Sequence, residues 1–170
     1  MLYTTLYPSP LGPLTLACDG QSLTGLWLEN QKYFGGPRPE ELTPGKDFPV
    51  LDRARAWLDR YFAGDRPSPG ELPLDPAGTP FRRAVWSLLL EIPWGTVTTY
   101  GELAQRACLR LDRPSVPARA VGGAVGHNPI SIIIPCHRVV GADGSLTGYA
   151  GGIPAKRWLL EHEGVSLGKD

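Results

Sequence analysis

Apolar and polar positions alternate over the first 28 residues: Leu6, then Leu14, Leu16 and Ala17 or Cys18, then Leu23, Leu26, Trp27 and Leu28. A period of two puts successive side chains on opposite faces of a strand. Pro10-Leu11-Gly12 and Asp19-Gly20 interrupt the run as hairpin turns do, so the pattern predicts a small antiparallel meander. Gln31 to Asp47, rich in Gly, Pro and Glu, predicts a loop. The period then changes. Leu51, Ala54, Leu58 and Tyr61 share one helical face between Pro49 and Ala63, with Gly64 as the stop, and this helix should cover one face of the meander. Residues 64 to 80, rich in Gly, Pro, Ser and Asp, predict a linker between two domains, 1–76 and 77–170.

Beyond the linker the pattern is helical. Thr79 caps and Pro80 opens a helix through Phe81, Val85, Leu88 and Leu89 that Pro93 ends. After Pro93-Trp94-Gly95, the stretch Thr99-Tyr100-Gly101-Glu102 has the form of a capping box and starts a helix through Leu103, Ala104 and Ala107. An irregular stretch, Leu109 to Pro114, leads to a second helix from Ser115 or Val116 to Gly126, with Ala120, Val121 and Ala124 inward and Arg119 outward. Two short helices joined by a turn are the layout of a helix-turn-helix. Gly122-Gly123 inside the second helix costs about 1 kcal/mol per residue relative to alanine, so a packed neighbour or a phosphate chain should approach the backbone there. The apolar run Ile130, Ile132, Ile133, Ile134 reads as a strand that delivers Cys136 to a turn forced by Pro135. A last helix opens near Pro154, passes Trp158, Leu159 and Leu160, and stops at Gly164. The fold class is α+β: a small N-terminal antiparallel sheet with a packed helix, then a mainly helical C-terminal domain with a helix-turn-helix.

Composition narrows the function. With 42% hydrophobic and 20% charged residues, the chain is of globular type, and no stretch approaches the roughly 20 apolar residues that span a bilayer. The opening Met1-Leu2-Tyr3-Thr4-Thr5 has no basic region followed by an apolar one; the expectation is a cytoplasmic protein with access to DNA. Cys18, Cys108 and Cys136 are widely spaced, without a CxxC pair or a nearby histidine pair, which suggests neither disulfide nor zinc; no metal or cofactor is expected. The net charge of 0 argues against a nucleic-acid partner, but its distribution argues back. Residues 1–80 hold 7 Lys+Arg against 10 Asp+Glu, net −3, and residues 81–170 hold 10 against 7, net +3.

Cys136, with His137 and Arg138 beside it, is placed either as a reactive thiol near positive potential or as a buried structural cysteine. On extended backbone Cys136 and His137 point to opposite faces, so a water should bridge them, with a carboxylate orienting the imidazole. Glu163 sits in a final helical turn, where the helix dipole disfavours it; it is either the partner of His137 or an exposed residue of a fraying end.

Pro135-Cys136-His137-Arg138-Val139-Val140, Arg119-Ala120-Val121-Gly122-Gly123-Ala124 with Asn128-Pro129, and Gly148-Tyr149-Ala150-Gly151-Gly152 closely resemble the O6-alkylguanine-DNA alkyltransferases. Pro93 to Val97, Thr99 to Gly101, Lys156, Trp158 to Leu160 and His162 to Gly164 extend the resemblance, and the first domain is similar to that of bacterial members. The resemblance implies a ribonuclease H-like first domain and a winged-helix-like second one. It implies a single-turnover enzyme of DNA repair in which Cys136 irreversibly takes an alkyl group from guanine O6 in duplex DNA, with thymine O4 as a candidate second substrate. Cys136, His137, Glu163 and Tyr100 would do the chemistry, with Tyr100 donating a proton to N3 of the base. Arg119 would fill the place of the everted base, and Ala120, Gly122, Gly123 and Tyr100 would meet the minor groove. Val139, Tyr149, Ala150, Trp94 and Ser131 would line the substrate pocket, and Asn128 and Lys156 would support it. The protein would act as a monomer, with clustering on DNA a further expectation. Three departures stand out: a longer stretch from Gln105 to Pro117, Ser131 in place of a proline, and no counterpart to the zinc ligands of some members. A lesion-binding protein without transfer activity is the alternative reading, disfavoured because such relatives replace the cysteine. A cysteine hydrolase is a third, disfavoured because a thioether offers no bond to hydrolyse.

Overall fold

The structure is a computed structural model and describes residues 2–37, 39–45 and 48–167. Strands β1 (Leu2–Ser9) and β2 (Gly12–Cys18) pair antiparallel around Pro10-Leu11, and β3 (Leu23–Leu28) pairs antiparallel with β2. Gly12 takes the positive φ of 92° that the first turn requires. Asp19 closes the second turn, its carboxylate accepting from the N–H groups of Gln21 (2.9 Å) and Ser22 (2.8 Å). The predicted loop after Gln31 is corrected: it contains β4 (Leu42–Pro44), which pairs parallel with β1 and makes the sheet order β3-β2-β1-β4. Three residues ending in proline are too short to carry a period, so the strand left no pattern; Lys46 and Asp47, the end of that predicted loop, lie outside the described residues.

Tyr7, Leu14 and Leu28 share one sheet face, and α1 (Pro49–Phe62) packs on the sheet through Leu51, Ala54, Leu58 and Tyr61, with Val50 and Trp57 also buried. Leu6 has the opposite parity and is 61% exposed, so it does not share the buried face with the other apolar positions of the alternation. The stretch after α1 is tied to the sheet: Leu23 N donates to Pro73 O (2.8 Å) and Asp75 N to Leu23 O (2.9 Å).

The chain divides into two compact units, Met1–Ala77 with Pro129–Ile133, and Gly78–Asn128 with Ile134–Asp170. In the second, α2 (Pro80–Leu89) starts at Thr79, whose hydroxyl accepts from Arg82 N (3.2 Å), and packs with α3 (Tyr100–Leu111) and α4 (Ala118–Gly126). Trp86 secures that packing by donating Nε1–H to Ala124 O (2.8 Å). The capping box at Thr99 is half formed. Thr99 Oγ1 accepts from Glu102 N (3.1 Å), but the Glu102 carboxylate takes the Thr98 hydroxyl (2.8 Å) instead of reaching back.

Helix α3 extends three residues into the stretch predicted as irregular, through Leu111, and ends at Asp112 in the left-handed conformation. Helix α4 begins at Ala118, later than predicted, behind Pro114 and Pro117, which have no N–H to extend a helix toward the N-terminus. Its buried residues are Val121, Ala124 and Val125, whereas Ala120 is exposed, a correction to the predicted inner face. The isoleucine run is not a strand. Ile130 makes an isolated bridge to Leu26, Ile132 has φ +72°, and Cys136–Arg138 form a 3-10 turn before β6 (Val139–Val140), which pairs parallel with β5 (Thr98–Thr99). A fully buried apolar run carries no period that separates strand from turn. Helix α5 (Ile153–His162) ends just before Glu163.

Candidate active site

Cys136 is 4% exposed and opens the 3-10 turn, its N–H donating to Ile134 O (2.8 Å). Successive side chains in such a turn fan out by about 120°, which replaces the expected opposition of Cys136 and His137 across a strand. Asn128 donates Nδ2–H to Ile134 O (2.8 Å) and also hydrogen-bonds the thiol. Burial pushes the Cys136 thiol pKa up, and the Asn128 amide and the Lys156 ammonium pull it back.

His137 is 0% exposed and its Nε2 lies 2.7 Å from Glu163 Oε2. An ionised carboxylate only accepts, so Nε2 carries the hydrogen and Nδ1 the lone pair. Nδ1 is buried and has no hydrogen-bond partner among the described residues. Burial drives the imidazole pKa below its ordinary value; Glu163 opposes this, and Arg138 and Lys156 reinforce it. The ring is therefore a neutral base at neutral pH.

Glu163 is held more firmly than sequence reasoning foresaw. Arg138 grips it with two bonds, Nε to Oε1 (2.7 Å) and Nη2 to Oε2 (3.0 Å), while Nη1 donates to Ile92 O (2.5 Å) in the turn after α2. Burial alone would raise the Glu163 pKa, but His137 and Arg138 outweigh it and hold the carboxyl at about 2 instead of 4.5. The Arg138 charge acts in this direction whatever the protonation of His137, since it is permanent. This corrects the expected role of Arg138 as positive potential for the thiol. Its charge is matched by Glu163, and the cation facing Cys136 is Lys156. The signal was in the sequence: a buried carboxylate needs a charged partner, and Arg138 was adjacent to the histidine already assigned to it.

Lys156 is 0% exposed, and its Nζ donates to the carbonyls of Val139, Thr147 (3.1 Å) and Gly148 (3.2 Å). It thereby ties β6 to the loop before α5. Burial lowers its pKa from 10.5 to about 8, partly offset by Cys136. The half-buried Tyr100 donates its hydroxyl to Thr147 O (3.2 Å); burial and the nearby Cys136 both raise its pKa. Val139 is buried, and Tyr149 and Ala150 are half-buried in the same loop as Thr147. Trp94 meets His162 edge-on, with ring centroids 5.6 Å apart. Ser131 is buried in the first unit, and its hydroxyl is spent on Gln31 Oε1 (3.3 Å), not on the thiol cluster.

Arg119 and Ala120 are exposed on α4. A Cβ on Gly123 would meet nothing within 4 Å, and one on Gly122 would make only ordinary contact, 3.9 Å from the Tyr100 ring. No packed neighbour inside the second unit requires either glycine. Among the described residues no three His, Cys, Asp or Glu side chains converge as a metal site would need, and no helix is long and apolar enough to cross a membrane.

Fold and site define an α+β protein with a buried cysteine beside a histidine-carboxylate pair, next to a helix pair with an open glycine face. Two family models match: the 6-O-methylguanine DNA methyltransferase ribonuclease-like domain over residues 2–76, and the DNA binding domain of the same methyltransferase over residues 80–165. A methylated-DNA–protein-cysteine methyltransferase of Haemophilus influenzae is 46% identical over 96% of this chain and 87% of its own length. A protein of the same name from Mycobacterium bovis is 47% identical over 96% of this chain and 93% of its own. The crystal structure of Mycobacterium tuberculosis OGT in complex with DNA superposes with a TM-score of 0.79 at 45% identity, covering 95% of this chain and 91% of that one. The chain belongs to the 6-O-methylguanine DNA methyltransferase family.

Proposed function

We propose that this protein is a methylated-DNA–protein-cysteine S-methyltransferase that repairs O6-alkylguanine in duplex DNA by moving the alkyl group to Cys136. The buried cluster of Cys136, His137 and Glu163, with Nδ1 of the imidazole unpaired among the described residues, carries the reading. The thiol proton passes through a bridging water to His137 Nδ1, and Glu163 stabilises the imidazolium that forms. The Cys136 sulfur then attacks the alkyl carbon: the S–C bond forms, the C–O6 bond breaks, and its electron pair passes into the purine. Tyr100 gives its hydroxyl proton to N3 of the base as that charge develops, and regains one from the cluster. The sum is thiol plus alkylated guanine giving thioether plus guanine. A thioether has no bond that water readily cleaves, so each molecule acts once.

The target atom is out of reach in a stacked duplex, so the base is everted at a cost of a few kcal/mol. Arg119 fills the space left behind, and α4 lies in the minor groove with Ala120, Gly122 and Gly123 against the sugar-phosphate chain. The absence of an intramolecular reason for Gly123 supports this placement. Val139, Tyr149, Ala150 and Trp94 border the flipped base, and Asn128 and Lys156 hold the surrounding backbone. Residues 1–76 and 77–170 serve as the two sequence domains, with Pro129–Ile133 folding into the first unit, and the protein works as a monomer in the cytoplasm. Similarity to relatives named as methyltransferases favours transfer over lesion sensing. Incubation with a duplex containing O6-methylguanine, followed by peptide mass spectrometry, should find one methyl on Cys136 per molecule and no further turnover. Binding without a mass change, or repeated release of product, would overturn the reading.

A further inference from the structure

We infer that Arg138 is a positioning residue for the thiol chemistry: its two-pronged bond holds Glu163 as an anion and thereby fixes His137 as the neutral Nε2–H tautomer, with the lone pair on Nδ1. The inference rests on the proposed role of His137 as the base for Cys136.

The oxygens of Glu163 are fully engaged. Oε1 accepts from Arg138 Nε (2.7 Å), and Oε2 accepts from both His137 Nε2 (2.7 Å) and Arg138 Nη2 (3.0 Å). The third guanidinium nitrogen is anchored on Ile92 O in the turn after α2, so bonds to two separate segments fix the fork in place. The Glu163 charge is thus balanced without a proton on His137. Were the guanidinium absent, a buried carboxylate would lose its permanently charged partner and keep the imidazole. The lowest-cost response would be uptake of a proton by the pair, giving imidazolium. Nδ1 would then carry a hydrogen and could not accept one from the thiol.

The other charges around the cluster do not replace Arg138. His137 faces Glu163 at the end of α5, Arg138 in its own turn and Lys156 on α5. Cys136 faces Lys156, the Asn128 amide and Tyr100. Lys156 is bonded to three carbonyls and not to Glu163, so it disfavours imidazolium without securing the carboxylate. Arginine is suited to the task because it stays charged at any working pH and fits both carboxylate oxygens at once.

The test compares the full-length chain with Arg138→Gln and Arg138→Lys from about pH 5 to about pH 9. One readout is the rate of carboxamidomethylation of Cys136 by iodoacetamide, located by peptide mass spectrometry so that Cys18 and Cys108 do not contribute. The other is nitrogen NMR of the His137 ring. In the parent chain His137 should stay neutral, hydrogen on Nε2, at and below the ordinary histidine pKa. Arg138→Gln should move the midpoint of His137 protonation upward by about one pH unit or more and, by leaving a cation beside the thiol, carry Cys136 alkylation to lower pH; Arg138→Lys should bring both back toward the parent values. A folded Arg138→Gln protein with the parent midpoint overturns the inference, as does a lysine variant that restores nothing. If the glutamine variant does not fold, a parent His137 protonated at neutral pH overturns it. Methyl transfer from a damaged duplex is measured alongside on the parent chain. Its failure would sink the proposed function and leave both readouts of Arg138 intact.

Discussion

Glu163 is the residue at which stability and chemistry meet. Its carboxyl titrates near 2 in the folded protein against an ordinary 4.5. The native state therefore gains stability from it above the unfolded pKa and loses that gain as pH falls through the folded one. Glu163→Gln should lower stability at neutral pH by about 3–5 kcal/mol, because it leaves the Arg138 charge buried without its partner. It should also flatten the decline in stability between about pH 4.5 and about pH 2, since the titrating group has gone. Urea unfolding midpoints measured across that range decide the matter, and equal acid slopes in parent and variant would refute the assignment of the shift to this carboxylate. At this scale the sequence was informative about identity and poor about partnership. Cys136, His137, Glu163 and Tyr100 could be picked out from the chain, and the structure brings the first three into one buried turn and helix end. That Arg138 spends its charge on Glu163, and that the cation acting on the thiol is Lys156, depends on side-chain directions set by a 3-10 turn that no period announces.

At the scale of elements, helices were legible wherever a cap and an apolar face coincided. Thr79-Pro80 opens α2 and Pro49 opens α1, as their sequences imply, and β1 to β3 follow the alternation. The failures share a physical origin. Strand β4 is three residues long, the buried isoleucine run has no polar positions to define a face, and the prolines before α4 delay its start. Helix α4 also poses the sharpest question of the C-terminal unit, because Gly122 and Gly123 weaken it without any internal need. Gly123→Ala should stabilise the free protein by up to about 1 kcal/mol, since its Cβ would enter open space in a helix. The same methyl should weaken binding to duplex DNA if a sugar-phosphate chain lies against this face. Thermal unfolding paired with a binding titration reads both effects at once. A variant that is more stable and binds DNA as tightly as the parent would move the groove-facing surface away from Gly123.

For the molecule as a whole, an equal number of positive and negative residues conceals a chain that is acidic in its first 80 residues and basic beyond them, by 3 charges each way. The basic portion carries the thiol, and that thiol is at the centre of a packed and hydrogen-bonded unit, not on its surface. Cys136 is 4% exposed, Asn128 reaches both the thiol and Ile134 O, and Lys156 spans β6 and the following loop. Transfer adds a methyl group to a residue that is buried, and it removes the thiol hydrogen together with the anionic form that Lys156 offsets. Overpacking of this kind costs about 1–3 kcal/mol, and in a chain of this length each kcal/mol moves the melting temperature by about 2–4 °C. Protein methylated at Cys136 should therefore melt several degrees lower than the free form, with Asn128→Ala reducing the difference by removing a neighbour that must move. Thermal melts of free and methylated protein, each checked by mass, supply the test. An unchanged melting temperature would mean that the buried thiol already has space for its product.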